Sequence, residues 1–158
     1  MPKPVFLQVF LAATLASVLA CPELRAEYAW HEDVGSVYYG EKDNPEDIAL
    51  MFSCEETGKV TLLVARAENK LKPNKKISLL LATQQIQSRL NAETTANEMD
   101  ADVSISASLT ADDPIFASMV SSKNLTISSE SWSASYKITG SEAGEMISQF
   151  QADCKTRR

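Results

Sequence analysis

The chain has 158 residues, 44% of them hydrophobic and 23% charged, with 15 basic against 21 acidic side chains and a formal charge of −6. This length is enough for one domain with a real core. The acidic balance argues against a phosphate-binding groove, and so against nucleic acid as a partner, and mildly favours basic partners.

The first residues, Met1-Pro2-Lys3-Pro4, carry one positive charge ahead of an apolar run over 5–20 that is broken only by Gln8, Thr14 and Ser17. The run is shorter than the roughly 20 residues a membrane helix needs. It follows no single helical face, so it reads as the core of a secretory signal peptide spanning 1–26. Two processing routes are open. Val18-Leu19-Ala20-Cys21 resembles a bacterial lipobox, in which cleavage precedes a lipidated cysteine. Alternatively Pro22 ends the apolar run, Glu23-Leu24-Arg25-Ala26 forms a polar c-region, and cleavage after Ala26 leaves Glu27 as the new N-terminus. The c-region favours the second route and a soluble periplasmic protein. Lipidation at Cys21 would instead anchor the chain at a membrane of the envelope. Cleavage after Ala26 removes Lys3, Arg25 and Glu23 and leaves one domain, 27–158, with 13 basic and 20 acidic side chains, a formal −7.

The remaining elements follow in chain order. "SVYYG" (36–40) reads as a strand stopped by glycine, and "EKDNPED" (41–47) as a loop turned by Asn44-Pro45. In "DIALMFSC" (47–54), Ile48, Leu50, Phe52 and Cys54 alternate with smaller residues, so a strand points Cys54 to the same side as three large apolar groups. "KVTLLVAR" (59–66) is a third strand, apolar on both faces and hence central. "ISLLLATQQIQSRL" (77–90) fits a strand with a hairpin partner near 85–90, and "NAETTANEMDA" (91–101) a polar connection. "DVSISASL" (102–109) is the cleanest period of two in the chain, with Val103, Ile105, Ala107 and Leu109 on one face and serines on the other. At "ADDPIFASMVSS" the period changes. Asp113 can cap, Pro114 suits the first helical position, and Ile115, Phe116, Met119 and Val120 share a face. Two more strands follow over 125–128 and 132–138, with Glu130 at the bend between them. Ser141 then caps a last helix whose Met146, Ile147, Phe150 and Cys154 lie along one stripe. Seven or eight short strands with one crossing helix and a C-terminal helix predict a mainly β domain: an antiparallel β-sandwich or a partly open barrel.

Cys54 and Cys154 both face inward from elements that can pack together. Whether Cys21 is cut away or lipidated, these two remain, an even number in an oxidising compartment, and a bridge between them is expected; two buried free thiols are the alternative.

Candidate catalytic groups are few. His31 is the only histidine, in "EYAWHED", and a Ser-His-acid site would have to use it. No Gly-x-Ser-x-Gly elbow, His-Glu-x-x-His, Cys-x-x-Cys or phosphate-cradling glycine loop is present, so no metal, cofactor or catalytic residue is assigned. The adjacent acids Glu32-Asp33, Glu46-Asp47, Glu55-Glu56 and Asp112-Asp113 fit solvated turns and caps better than a glycosidase pair. Asn124-Leu125-Thr126 matches a glycosylation acceptor but falls inside a strand. Among the aromatics, Tyr38 alternates away from Val37 and Tyr39 and is the best surface candidate, whereas Trp132 and Tyr136 belong to the apolar face. The basic end, Lys155 to Arg158, reads as solvated.

Four pieces, Trp30 followed by "VYYG", "IALMFSC", "DDPIFASMVSSKNLTIS" and "ISQFQADC", resemble a family of small exported proteins of alphaproteobacteria. The resemblance implies a β-rich periplasmic domain. More loosely, the acidic charge, the export signal, the terminal cysteine and "SASY" (133–136) are similar to periplasmic or lipid-anchored inhibitors of c-type lysozyme, small disulfide-bonded barrels that insert a polar loop into a basic enzyme's cleft. The spacing in "SASY" is shorter than in that family's motif, and no inhibitory residues are carried over. The functional expectation is a non-enzymatic periplasmic protein-binding domain, with lysozyme inhibition its most concrete form and the binding face unassigned. A structural or envelope-maintenance factor, tethered through Cys21, is the alternative. A hydrolase without a recognisable motif is the third reading.

Overall fold

A computed structural model describes residues 27–67, 71–96 and 102–157. The signal segment, Cys21, both processing sites and Arg158 lie outside the described residues. The described chain forms β1 (Tyr28–Asp33), β2 (Ser36–Glu41), β3 (Asn44–Glu56), β4 (Lys59–Ala67), β5 (Lys76–Ala82), β6 (Gln87–Ala96), β7 (Val103–Thr110), α1 (Pro114–Val120), β8 (Asn124–Ser128), β9 (Ser133–Lys137) and α2 (Gly140–Thr156). All neighbouring strands are antiparallel, in one sheet of order β1-β2-β3-β4-β7-β6-β5-β8-β9, curled into a nearly closed barrel. Of the two expected architectures, the barrel is the one observed. The run β4-β7-β6-β5 is a Greek key, since β5, β6 and β7 are consecutive and β7 returns to lie beside β4.

Periodicity explains why the sheet curls around its core. On β7 every apolar residue is buried and every serine is half-buried or exposed. Register then aligns the inner residues of three strands: Cys54 with Val60 and Leu109, Phe52 with Leu62 and Ala107, Leu50 with Val64 and Ile105. Each fully buried Leu, Ile or Phe of this interior contributes about 1.5–3 kcal/mol relative to an exposed one. Both helices close over that interior. The Phe116 ring of α1 meets Phe52 edge-on at 5.3 Å and lies 6.0 Å from Phe150 of α2. The cap of α1 is as expected, with Asp113 accepting from the Ile115 N–H at 2.9 Å and from the Ser88 hydroxyl at 2.7 Å.

The two sheet edges, β1 and β9, are joined by side chains. The Trp30 indole donates to the Lys137 carbonyl at 2.8 Å. Tyr39 packs 5.6 Å from Trp30 and edge-on to Tyr136 at 5.7 Å. Burial therefore pushes the hydroxyls of Tyr39 and Tyr136 above the ordinary phenol range.

Several local expectations are corrected. Residues 28–33, given no element from sequence, form β1, because a single inward Trp30 carries the strand's burial. Asn44 to Asp47 belong to β3 rather than to a loop, with register shifts around Gly40 absorbing the irregular stretch. Asn91 to Ala96 extend β6; the buried Thr94 bonds there to the Lys75 N–H and the Lys72 carbonyl, and so holds the preceding turn. Val120 is 44% exposed, since the helix ends there and α1 packs through Ile115, Phe116 and Met119 instead. The residue capping α2 is Thr139, without a side-chain bond, and Ser141 falls inside the first turn after Gly140, whose φ is +82°.

Candidate functional site

A cleft lies where the β1–β2 turn meets the end of α2. Glycine decides the local geometry of the β1–β2 turn, because Gly35 sits at φ +77°. The Val34 N–H donates to the Asp33 carboxylate at 2.7 Å, and the Gly35 carbonyl accepts from the Cys54 N–H at 2.8 Å. The turn is thereby fastened to β3. Cys54 is bonded to Cys154 of α2, with Cα atoms 5.5 Å apart and 100 residues between them in sequence. The disulfide forms between the two inward-facing cysteines, as expected. Around it, the Gly58 N–H donates to the Cys154 carbonyl at 2.8 Å, and the Thr57 hydroxyl donates to the Arg157 carbonyl. The Arg157 guanidinium donates to the Cys54 carbonyl at 3.1 Å and lies so closely against Gly35 that a Cβ there would overlap it. Lys155 to Arg157 are exposed, as expected of a solvated end, and are tethered as well: Arg157 holds the turn, and Lys155 pairs with Asp112 at 2.9 Å.

The cleft between this turn and α2 measures about 670 Å³, within the roughly 300–1,000 Å³ of ordinary ligand sites. It continues into a shallower groove of about 510 Å³ that shares Glu32, Met146 and Gln149 with it. The floor is apolar, made by Phe150, half-buried Met146 and the disulfide, and the rim carries Val34, which is 88% exposed. Five carboxylates line the two parts: Glu32, Asp33, Asp153, Glu142 and Glu145. None of them is in an ion pair among the described residues. Asp153 accepts only from the Gln149 amide, at 2.8 Å. Against these five stands one cation among the described residues, Arg157, so the described lining is negative along most of its length.

The residues weighed from sequence fall in different places. Of the acidic pairs, Glu32-Asp33 lines the cleft. Asp47 instead accepts from the Tyr28 hydroxyl at 3.2 Å and lies 3.1 Å from Arg66, an ion pair without hydrogen-bond alignment. Burial, followed by the Asp47 charge, raises the Tyr28 hydroxyl above its ordinary pKa. Glu56 pairs with Lys59 on the surface, which lowers its carboxyl and raises the ammonium. His31 alternates away from Trp30 onto the outer face, where it stacks on Tyr38 at 5.1 Å; its Nε2 is buried without a partner. Trp132 and Tyr136 are core residues, and Asn124 is exposed at the start of β8. Among the described residues, no group of three or more His, Cys, Asp or Glu is placed to hold a metal ion, and no helix is long and apolar enough to cross a membrane. Sequence reasoning missed the cleft. The available signal was the outward row Glu142, Glu145, Gln149 and Asp153 on α2, which acquires meaning only when the Glu32-Asp33 turn stands opposite.

No protein-family model, curated protein or solved structure matches the chain. The chemistry of the cleft is thus the main guide to function.

Proposed function

We propose that the chain is an exported, non-enzymatic protein-binding domain and that its acidic cleft docks a basic protein. One observation carries this reading: five carboxylates, Glu32 and Asp33 at the end of β1 and Glu142, Glu145 and Asp153 on α2, gather around an apolar floor with no ion pair among the described residues, beside a turn tethered to β3 and to α2. Such a surface steers cationic partners electrostatically and offers apolar area for them to cover. The signal-like segment and the Cys54–Cys154 bridge agree with an oxidising, extracytoplasmic compartment. A c-type lysozyme is a basic enzyme, so inhibition of it is the most concrete form of the proposal. The processed protein, added to a cell-wall suspension, is expected to slow lysozyme lysis at near-stoichiometric amounts. Undiminished lysis at a large excess removes the lysozyme version. Failure to retain any basic protein from periplasmic extract removes the wider one.

The stretch Val18-Leu19-Ala20-Cys21 supports a second reading, an envelope-maintenance factor tethered through Cys21. Intact mass of the exported protein separates the two. A mass beginning at Glu27 supports the soluble binder, and one beginning at an acylated Cys21 supports the tethered factor.

A further inference from the structure

We infer that the cleft recognises a two-part motif in its partner: one bulky aliphatic or aromatic side chain seated between Val34, Met146 and Phe150, followed by two cations along Glu32, Glu142 and Glu145. This rests on the protein-binding reading above and deepens it by assigning the site and the chemistry of the occupant.

The charges and the apolar surface are distributed unevenly along the cleft. Its deeper part is floored by Phe150 and the disulfide and bordered by Val34. Val34 is held outward because Asp33 and Gly35 on either side of it are tied into hydrogen bonds. Lone exposed aliphatic residues are common on surfaces. Here the exposed side chain continues an apolar floor that lies inside a cavity. Arg157 lies at the disulfide end, its guanidinium committed to the Cys54 carbonyl. A cation placed there would compete with Arg157 for Asp33 and Asp153, whereas an apolar group would cover the floor. Among the described residues the shallower part has no basic lining residue; Glu32 faces it from β1, and Glu142 and Glu145 from α2. Cations belong at that end. The motif is therefore polar in direction, with its apolar residue near the disulfide and its cations toward the start of α2. A purely polybasic segment would leave the floor uncovered, and an anionic lipid surface would be repelled.

Three fluorescein-labelled peptides test this on the processed protein by anisotropy: Gly-Phe-Gly-Lys-Lys-Gly, the same with Ser for Phe, and the same with Gln for both Lys. The first is expected to bind at least tenfold more tightly than either of the others, and more weakly as salt rises. Glu142→Gln with Glu145→Gln, both exposed on α2, should erase the preference for Lys over Gln. Val34→Ser should erase the preference for Phe over Ser. Equal binding of all three peptides, no binding by any, or preferences unchanged in these variants overturns the motif. So does sedimentation showing that a second copy of the chain occupies the cleft. If the variants still retain a basic protein from extract, the cleft assignment falls while the protein-binding reading stands. If the peptides bind as expected but no basic protein is retained, the reverse holds.

Discussion

The fold is tied in two places by different means. At one, Cys54 and Cys154 join β3 to the end of α2 through a covalent bond. At the other, the Trp30 indole reaches the Lys137 carbonyl and Tyr39 packs edge-on against Tyr136, joining β1 and β2 to β9 through a hydrogen bond and ring packing. The two ties span similar lengths of chain, 100 and 107 residues. The first restricts the unfolded chain as well as the folded one. The second acts only once the barrel has formed, and most of its strength comes from burial. The acidic cleft is built beside the covalent tie, where the turn, β3 and α2 are held together even if neighbouring strands breathe.

The largest effect is expected from breaking the covalent tie. Cys154→Ser, or reduction, should lower stability by about 4–5 kcal/mol, the chain-entropy value for a loop of on the order of 100 residues. Urea unfolding with and without reductant measures it, and the Cys154→Ser protein should no longer respond to reductant. Breaking the seam should cost less. Trp30→Phe keeps a ring in the core but leaves the Lys137 carbonyl without its indole donor, and the expected loss is about 1–3 kcal/mol. Hydrogen exchange should then quicken in β9 while the strands around Cys54 stay protected.

Alkali should discriminate between the ties as well. Tyr136, Tyr39 and Tyr28 are all raised from the ordinary phenol value of 10.0, each chiefly by burial. A group whose pKa is higher folded than unfolded contributes its full stability below the unfolded value and loses it as pH rises toward the folded one. Stability should therefore be level up to about pH 10 and fall above it. Unfolding monitored together with phenolate absorbance checks this, and phenolate appearing well ahead of unfolding would contradict it. The smallest effect belongs to the cleft rim. Val34→Ser removes an 88% exposed side chain and should change stability by less than about 0.5 kcal/mol, so any loss of binding in that variant is a loss of contact.

The contrast between the ties extends to what could be read in advance. The bridge was legible because each cysteine sits at the end of an apolar stripe, of period two in β3 and period near 3.6 in α2. The seam was not. Trp30 stands in a strand with one buried residue, which gives no alternation to detect, and Lys137 takes part through its backbone, which carries no side-chain signal. The same limit hid the cleft. Glu32-Asp33 resembled any solvated acidic pair until α2 was laid across it, and Arg157 resembled a free end until it reached the Cys54 carbonyl.

By itself the sequence determined the β class, the inner and outer faces of β3, β4 and β7, the start of α1 and the inward direction of both cysteines. Side-chain alternation and helix caps are local properties, set by residues a few positions apart. Tertiary structure alone decided the strand order, the Trp30–Lys137 seam and the acidic cleft. Each depends on register and curvature summed over many strands, and each brings together groups from opposite ends of the chain that share no local pattern.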